Sequence, residues 1–159
     1  MTSDFGRILR DATEAELPFV VVGGIAVIRH GVVRATRDVD LVVDPTEEAT
    51  TTLRRLAVDW GATFGSGAVL DPERIVAGRL VPLRTPYGYV DVLPERDPPL
   101  TYREIARRAD VKRIDGVPVP ICSLADLVAL KRLAARPRDE QDISDLETVH
   151  GALPDLPID

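Results

Sequence analysis

"RATRDVDLVV", residues 34–43, ends in the branched apolar run of a β-strand but carries two acids one residue apart, Asp38 and Asp40. On a strand, residues two apart face the same way with about 6.6 Å between Cα atoms, so the two carboxylates share one face. Val39, Leu41 and Val43 share the other. Like charges that close repel, and partial burial raises the pKa of one of them unless a cation is present. Two readings are open: a half-exposed strand with a solvated polar face, or hard carboxylate oxygens set to bind a divalent cation such as Mg2+.

Upstream, "FVVVGG" (residues 19–24) is a short, wholly apolar run of the kind buried on both faces of a sheet, and it ends in two glycines that open a helix, "GGIAVIRHG". Gly23 and Gly24 either make a simple tight turn or let bare backbone N–H groups approach an anion that a side chain would keep away. Downstream, "GYVDVLP" sets Asp91 between valines in the same apolar-Asp-apolar pattern. Asp91 is a solvated strand residue or, if its strand lies beside that of Asp38, a third carboxylate at a site able to hold two metals about 3.5–4 Å apart. Lys131 sits in the otherwise apolar helix "SLADLVALKRLAAR", either as a snorkelling surface residue or as a phosphate contact.

The remaining segments predict the scaffold. Ser3 is a plausible N-cap for a first helix carrying Phe5, Ile8, Leu9 and Ala12 at helical spacing. Pro45 with Glu47 and Glu48 starts a helix that runs to Trp60 and is stopped by Gly61. "GATFGSGAVLDPERIVAG" has no clear assignment. "RLVPLRT" and "GYVDVLP" form two strands joined at Pro86-Tyr87-Gly88. Thr101 and Glu104 have capping-box spacing for "TYREIARRA". "VKRIDGVPVPI" is a hairpin turning at Asp115-Gly116. Ser123 caps the Lys131 helix, which Pro137 ends, and a last helix spans about 138–150. This order predicts an α+β (mixed α/β) fold, a small mixed β-sheet covered largely on one side by helices. All of 1–159 forms one domain, with a core at about 18–122, C-terminal helices at about 123–150 and a tail at 151–159.

Composition narrows the class. A net charge of −6 argues against generic nucleic-acid binding through a wholly basic surface, and 4% aromatics against a base-stacking platform as the default. No stretch has the apolar length of a membrane span or a signal peptide. The single cysteine, Cys122, excludes an internal disulfide and points to a reducing, cytoplasmic setting. Only Lys112 and Lys131 are lysines. Arg103, Arg107, Arg108, Lys112 and Arg113 cluster in "YREIARRADVKR", either as a local patch for an RNA end or as a solvated helix face with intramolecular ion pairs.

Taken together, "VVVGG", thirteen intervening residues, "DVDLVV" and then "YVDVL" resemble the DNA polymerase beta-like nucleotidyltransferase superfamily. Its signature is an apolar strand ending in Gly-Gly or Gly-Ser, an apolar-flanked Asp-x-Asp and a third carboxylate on a later strand. "RATRDVD" also looks like the Arg-x-Thr-x-Asp-x-Asp of the bacterial subgroup that includes AbiEii-type toxins. "LKRLAARPRDEQDISDLE", with Lys131, Arg136, Arg138, Asp139 and Asp142, is similar to that subgroup's tail.

The resemblance implies a nucleotidyltransferase in which Asp38, Asp40 and Asp91 bind two Mg2+ ions, with Mn2+ as a substitute. An NTP, ATP included, would be held by Gly23, Gly24, Arg34, Thr36, Lys131 and Asp139, with Lys131 also catalytic. Asp139 and Asp142 either act directly or pair with Arg136 or Lys131. The leading acceptor is an RNA 3′ end such as tRNA, in the manner of the toxin of a toxin–antitoxin pair with a protein antitoxin. One alternative is a small hydroxylated antibiotic, as in aminoglycoside or lincosamide nucleotidyltransferases. The other is a non-catalytic binding or regulatory member of the fold.

Overall fold

The computed structural model describes residues 3–156; the outermost positions of the expected domain, including the end of the 151–159 tail, lie outside the described residues. Its elements in chain order are α1 (Phe5–Glu14), β1 (Phe19–Val22), α2 (Gly23–Arg29), β2 (Asp38–Val43), α3 (Glu47–Asp59), β3 (Thr63–Phe64), a 3-10 turn (Pro72–Arg74), β4 (Val81–Thr85), β5 (Gly88–Leu93), α4 (Tyr102–Arg108), β6 (Asp110–Ile114), β7 (Val117–Ile121), α5 (Leu124–Ala134) and α6 (Pro137–His150). The unassigned stretch after Gly61 supplies β3 and the 3-10 turn.

Local chemistry sets most of these limits. Thr46, Thr101 and Ser123 each accept a hydrogen bond from the backbone N–H three residues on, the N-cap arrangement. α1 is capped by Asp4 and not by Ser3, because the Asp4 carboxylate takes the Arg7 N–H at 3.0 Å. Asp115 and Gly116 both have positive φ, 49° and 80°, as a two-residue hairpin turn requires.

The strands form one seven-stranded sheet in the order β3-β4-β5-β2-β1-β7-β6. It is wider than the small sheet expected, since β3 extends one edge and the β6–β7 hairpin joins the other. β1 runs antiparallel to β2, whereas β2–β5 and β1–β7 are parallel. One face of the sheet is a continuous apolar layer: Val21, Val39, Leu41, Val90, Leu83 and Ile121 are all at most 1% exposed. Ile8 and Leu9 of α1 and Leu53 and Leu56 of α3 belong to the same core. The other face is apolar at β1 and at Val42 and Leu93, and at β2 and β5 it also carries the half-buried Asp38, Asp40 and Asp91. Among the described residues no helix is long and apolar enough to cross a membrane.

Candidate active site

Register builds the acidic cluster. The parallel β2–β5 pairing sets Asp40 opposite Asp91, and Asp38 lies two residues back on the same face. One carboxylate oxygen from each of Asp38, Asp40 and Asp91 falls within 4.8 Å of the others. Burial, then Asp91 and Asp38, push the Asp40 carboxyl up to about 6, against the opposing pull of Lys131 and a backbone hydrogen bond from Gly24. Burial and Asp38 likewise raise Asp91. Three hard oxygen donors held together at such electrostatic cost suit a divalent cation, which would relieve the repulsion.

β1 ends opposite this cluster, where Val22 pairs with Asp40, and the chain turns at Gly23 with φ +65°. A Cβ at Gly23 would overlap the Asp40 carboxylate, and one at Gly24 would lie 2.7 Å from Thr36 Oγ1 and 3.1 Å from Arg34 Nη2. Both glycines are therefore set by close approach as well as by the turn. The Thr36 hydroxyl donates to the Asp38 carbonyl at 3.3 Å, so it braces the backbone of the first aspartate.

A groove of about 580 Å³ runs from the aspartates to α5 and α6, and its far wall is basic, with Arg34, Lys131, Arg136 and Arg138. Lys131 does not snorkel. Its Nζ is buried, 3.1 Å from Asp139 Oδ1 and 2.8 Å from Asp142 Oδ2. Arg136 Nε holds the other Asp139 oxygen at 2.8 Å. Burial pushes Asp139 up, but hydrogen bonds from Arg136 and Lys131 outweigh it and keep the carboxyl below its ordinary value. Asp142 Oδ1 is 3.2 Å from Arg34 Nε, a distance of ion-pairing but without hydrogen-bond alignment, so Arg34 Nε and Nη1 are buried and unsatisfied. Arg138 reaches back to the Ala35 carbonyl at 3.4 Å. The loop before β2 and the start of α6, a hundred residues apart, are thus docked on each other.

This layout is an acidic triad facing a lysine–arginine wall across a groove. A family model described as nucleotidyl transferase AbiEii toxin, of a type IV toxin–antitoxin system, matches residues 7–154. The chain belongs to that family. It is an AbiEii-family nucleotidyltransferase by class, and its fold agrees with solved structures. Lincosamide antibiotic adenylyltransferase LnuA, lincomycin-bound, superposes with a TM-score of 0.65 at 15% identity, over 91% of this chain and 95% of that one. ANT(2″)-Ia in complex with adenylyl-2″-tobramycin gives 0.60 at 18% identity, over 92% and 87%. A Thermotoga maritima chain with a provisional nucleotidyltransferase assignment gives 0.58 at 15%, over 92% and 94%. At such identities the likeness is one of fold. No curated protein sequence matches.

In this AbiEii-family chain the proposed metal and nucleotide residues Gly23, Gly24, Arg34, Thr36, Asp38, Asp40, Asp91, Lys131 and Asp139 all line the one groove, whereas Asp142 lies behind it, paired with Lys131. Sequence reading missed Arg96, which also lines it and carries no local signal. It also missed Tyr89, which the two-residue period places on the face of Asp91. The basic cluster of α4 and β6 stands apart from the groove and is largely engaged within the fold. Arg108 binds Asp126 through Nε and Nη2 at 2.8–3.1 Å, Lys112 donates to the Arg29 carbonyl and Arg113 to the Gly116 carbonyl. Of that segment Arg108 is ion-paired, while Arg103, Arg107 and Arg113 are exposed.

Gly23→Ala is expected to destabilise the protein by roughly 2 kcal/mol or more, since it combines a left-handed backbone with a clash against Asp40. Urea denaturation checks this. Gly24→Ala, where φ is ordinary, should unfold less readily than Gly23→Ala, and equal losses would show that the left-handed backbone adds nothing.

Proposed function

We propose that this chain transfers a nucleoside monophosphate from an NTP to an acceptor hydroxyl with the help of divalent cations, and that the acceptor is the 3′ end of an RNA such as tRNA. The observation that carries the chemistry is the strand register that gathers Asp38, Asp40 and Asp91 within 4.8 Å, facing the Lys131–Arg34–Arg136 wall. The three aspartates would hold one or two Mg2+ ions, with Mn2+ able to substitute. Such ions, when bound, neutralise charge on the triphosphate and acidify the attacking hydroxyl.

The chain's own residues supply the rest. Gly23 and Gly24 line the groove and would meet a phosphate there with bare backbone. Arg34, ion-paired with Asp142 but with two buried nitrogens lacking a hydrogen bond, has donors left for a phosphate oxygen. Lys131 adds charge at the same wall, and Asp139 and Asp142 orient it. Thr36 keeps Asp38 in place. The acceptor oxygen attacks the α-phosphorus as the bond to pyrophosphate breaks on the opposite side, and the departing charge collects at the basic wall. The family's toxin–antitoxin description supports an antitoxin counterpart, and the proposed reaction takes place on RNA in the cytoplasm.

A small hydroxylated antibiotic is the second reading. What favours it is the similarity in extent and fold to LnuA and ANT(2″)-Ia, whose structures contain lincomycin and an adenylylated tobramycin. A non-catalytic role is disfavoured by a complete triad whose charges repel each other in the absence of a ligand. The test is labelled NTP with Mg2+ and either total tRNA or a panel of lincosamides and aminoglycosides. Label in tRNA alone is the expected result, lost with EDTA, and label in the antibiotic fraction alone overturns the RNA acceptor. Calorimetry should show NTP binding in Mg2+ that disappears in Asp38→Ala; a wild type that binds no NTP overturns the catalytic reading.

A further inference from the structure

Asp38 has a neighbour in its own row of the sheet that the proposed chemistry does not use. β2 and β5 pair with Asp38 opposite Tyr89, and β5 and β4 pair with Tyr89 opposite Arg84. Cross-strand partners share a face about 5 Å apart, so Asp38, Tyr89 and Arg84 form a row on the face that carries Asp40 and Asp91. Tyr89 is 38% exposed and is the one aromatic ring among the large exposed apolar side chains of the described residues. Arg84 is exposed beside it, its guanidinium 5.8 Å from the ring centroid.

The side on which this pair sits follows from strand order. Gly23 and Gly24 follow β1, and Lys131 and Arg136 come from the helices after β7; the groove they line also takes in Leu93, Pro94 and Arg96 at the far end of β5, but neither Tyr89 nor Arg84. The sequence of strands β4-β5-β2-β1 puts Tyr89 and Arg84 on the other side of β2 from β1. In-line displacement needs the entering oxygen and the leaving pyrophosphate on opposite sides of the phosphorus. A leaving group drawn to the basic wall therefore admits its acceptor from over β5 and β4, across Tyr89 and Arg84.

An exposed ring next to an arginine suits an unpaired nucleotide: the ring stacks on a base, and the guanidinium meets the backbone phosphate. We propose that Tyr89 and Arg84 form the acceptor platform, stacking the terminal base of a single-stranded RNA 3′ end and neutralising the phosphate behind it. This rests on the transfer reading given above and adds the place where its acceptor lies.

The test uses Tyr89→Ala, Tyr89→Phe and Arg84→Ala, all at exposed side chains, with a fluorescein-labelled single-stranded RNA hexamer bearing a free 3′ hydroxyl. Anisotropy reads RNA binding, calorimetry reads NTP binding, and labelled NTP reads transfer. Tyr89→Ala should weaken hexamer binding and raise its KM about tenfold, with NTP affinity and kcat at saturating RNA unchanged, and Tyr89→Phe should restore both. Arg84→Ala should lower the slope of log affinity against log salt by about 0.7, one phosphate's worth on a single strand. A hexamer that does not bind wild type, or binds Tyr89→Ala equally well, overturns the platform whatever the chemistry. Loss of NTP affinity together with RNA affinity in Tyr89→Ala also overturns it. Hexamer bound through Tyr89 but never extended overturns the transfer reading and leaves the platform as a binding site.

Discussion

Asp40→Asn is expected to abolish nucleotidyl transfer, by at least about a thousandfold, while making the metal-free protein more stable. Both effects have one cause. Asp40 is the most strained of the three carboxylates, held at about 6 by burial and by the charges of Asp91 and Asp38. Asparagine keeps an oxygen for the Gly24 backbone hydrogen bond but removes the charge, and with it a ligand oxygen that a divalent cation requires. A shift from 3.8 to about 6 corresponds to roughly 3 kcal/mol between protonation states, so relief at neutral pH should be about 2–3 kcal/mol, several degrees in Tm for a chain of this size.

The pH dependence has a definite sign. The folded carboxyl binds a proton that the unfolded one has already lost between pH about 4 and 6. The metal-free wild type therefore gains stability relative to Asp40→Asn as pH falls through that window. His30, lowered by burial, acts oppositely, because a buried neutral histidine loses stability as pH falls through its unfolded value. It is common to both proteins and cancels in the comparison. Thermal unfolding in EDTA at pH 7.5 and 4.5 checks this: the advantage of Asp40→Asn should be present at the first and nearly gone at the second. An advantage independent of pH would mean that charge is not its source.

Lys131→Met should cost about 3–5 kcal/mol, the scale for removing one partner from a buried ion pair. Methionine replaces the stem of the side chain but leaves Asp139 and Asp142, both buried, with only Arg136 and the poorly aligned Arg34 as counter-charges. The loss should appear in urea denaturation without change in m-value. The double variant Lys131→Met, Asp142→Asn should be more stable than the single one, because it removes a buried charge left without its cation. Additive losses would show that Lys131 and Asp142 do not interact. Transfer should fall in Lys131→Met as well, since the same ammonium faces the groove.

These two variants touch the parts of the site that were visible to different degrees beforehand. Asp38, Asp40 and Asp91 stand out because the two-residue period of a strand states which side chains share a face, and an acid on an otherwise apolar strand is conspicuous. Gly23 and Gly24 stand out because a buried strand can turn tightly only where side chains are missing. Helix limits at Thr101 and Ser123 were equally visible, since capping is satisfied within three residues of chain; α3 starts at Glu47 behind its Thr46 cap and leaves Pro45 outside the helix. A second difference, Asp4 in place of Ser3, arose between adjacent residues offering the same kind of acceptor.

Lys131 was visible but its state was not. An isolated lysine in an apolar helix is compatible with a snorkelling head or a buried one, and the choice depends on Asp139 and Asp142 arriving from the next helix. The basic segment at 103–113 shows the same dependence in reverse. Its charges are compatible with a binding patch or a solvated face, and which of them are engaged depends on Asp126, the Arg29 carbonyl and the Gly116 carbonyl, supplied from outside the helix.

By itself, then, the sequence determined the chemical inventory of this protein: the strands and helices, the faces on which they carry acids, and the two glycines at the turn. These follow from interactions spanning a few residues, where backbone geometry leaves little choice. Only the tertiary structure decided that β5 lies parallel to β2 with Asp91 opposite Asp40 and Tyr89 opposite Asp38, that the sheet has seven strands, and that Arg34 and Asp142 meet. Register and ion-pair partners are chosen by burial summed over the whole core, and a slip of one residue, invisible in local pattern, would have turned the aspartates into the apolar layer.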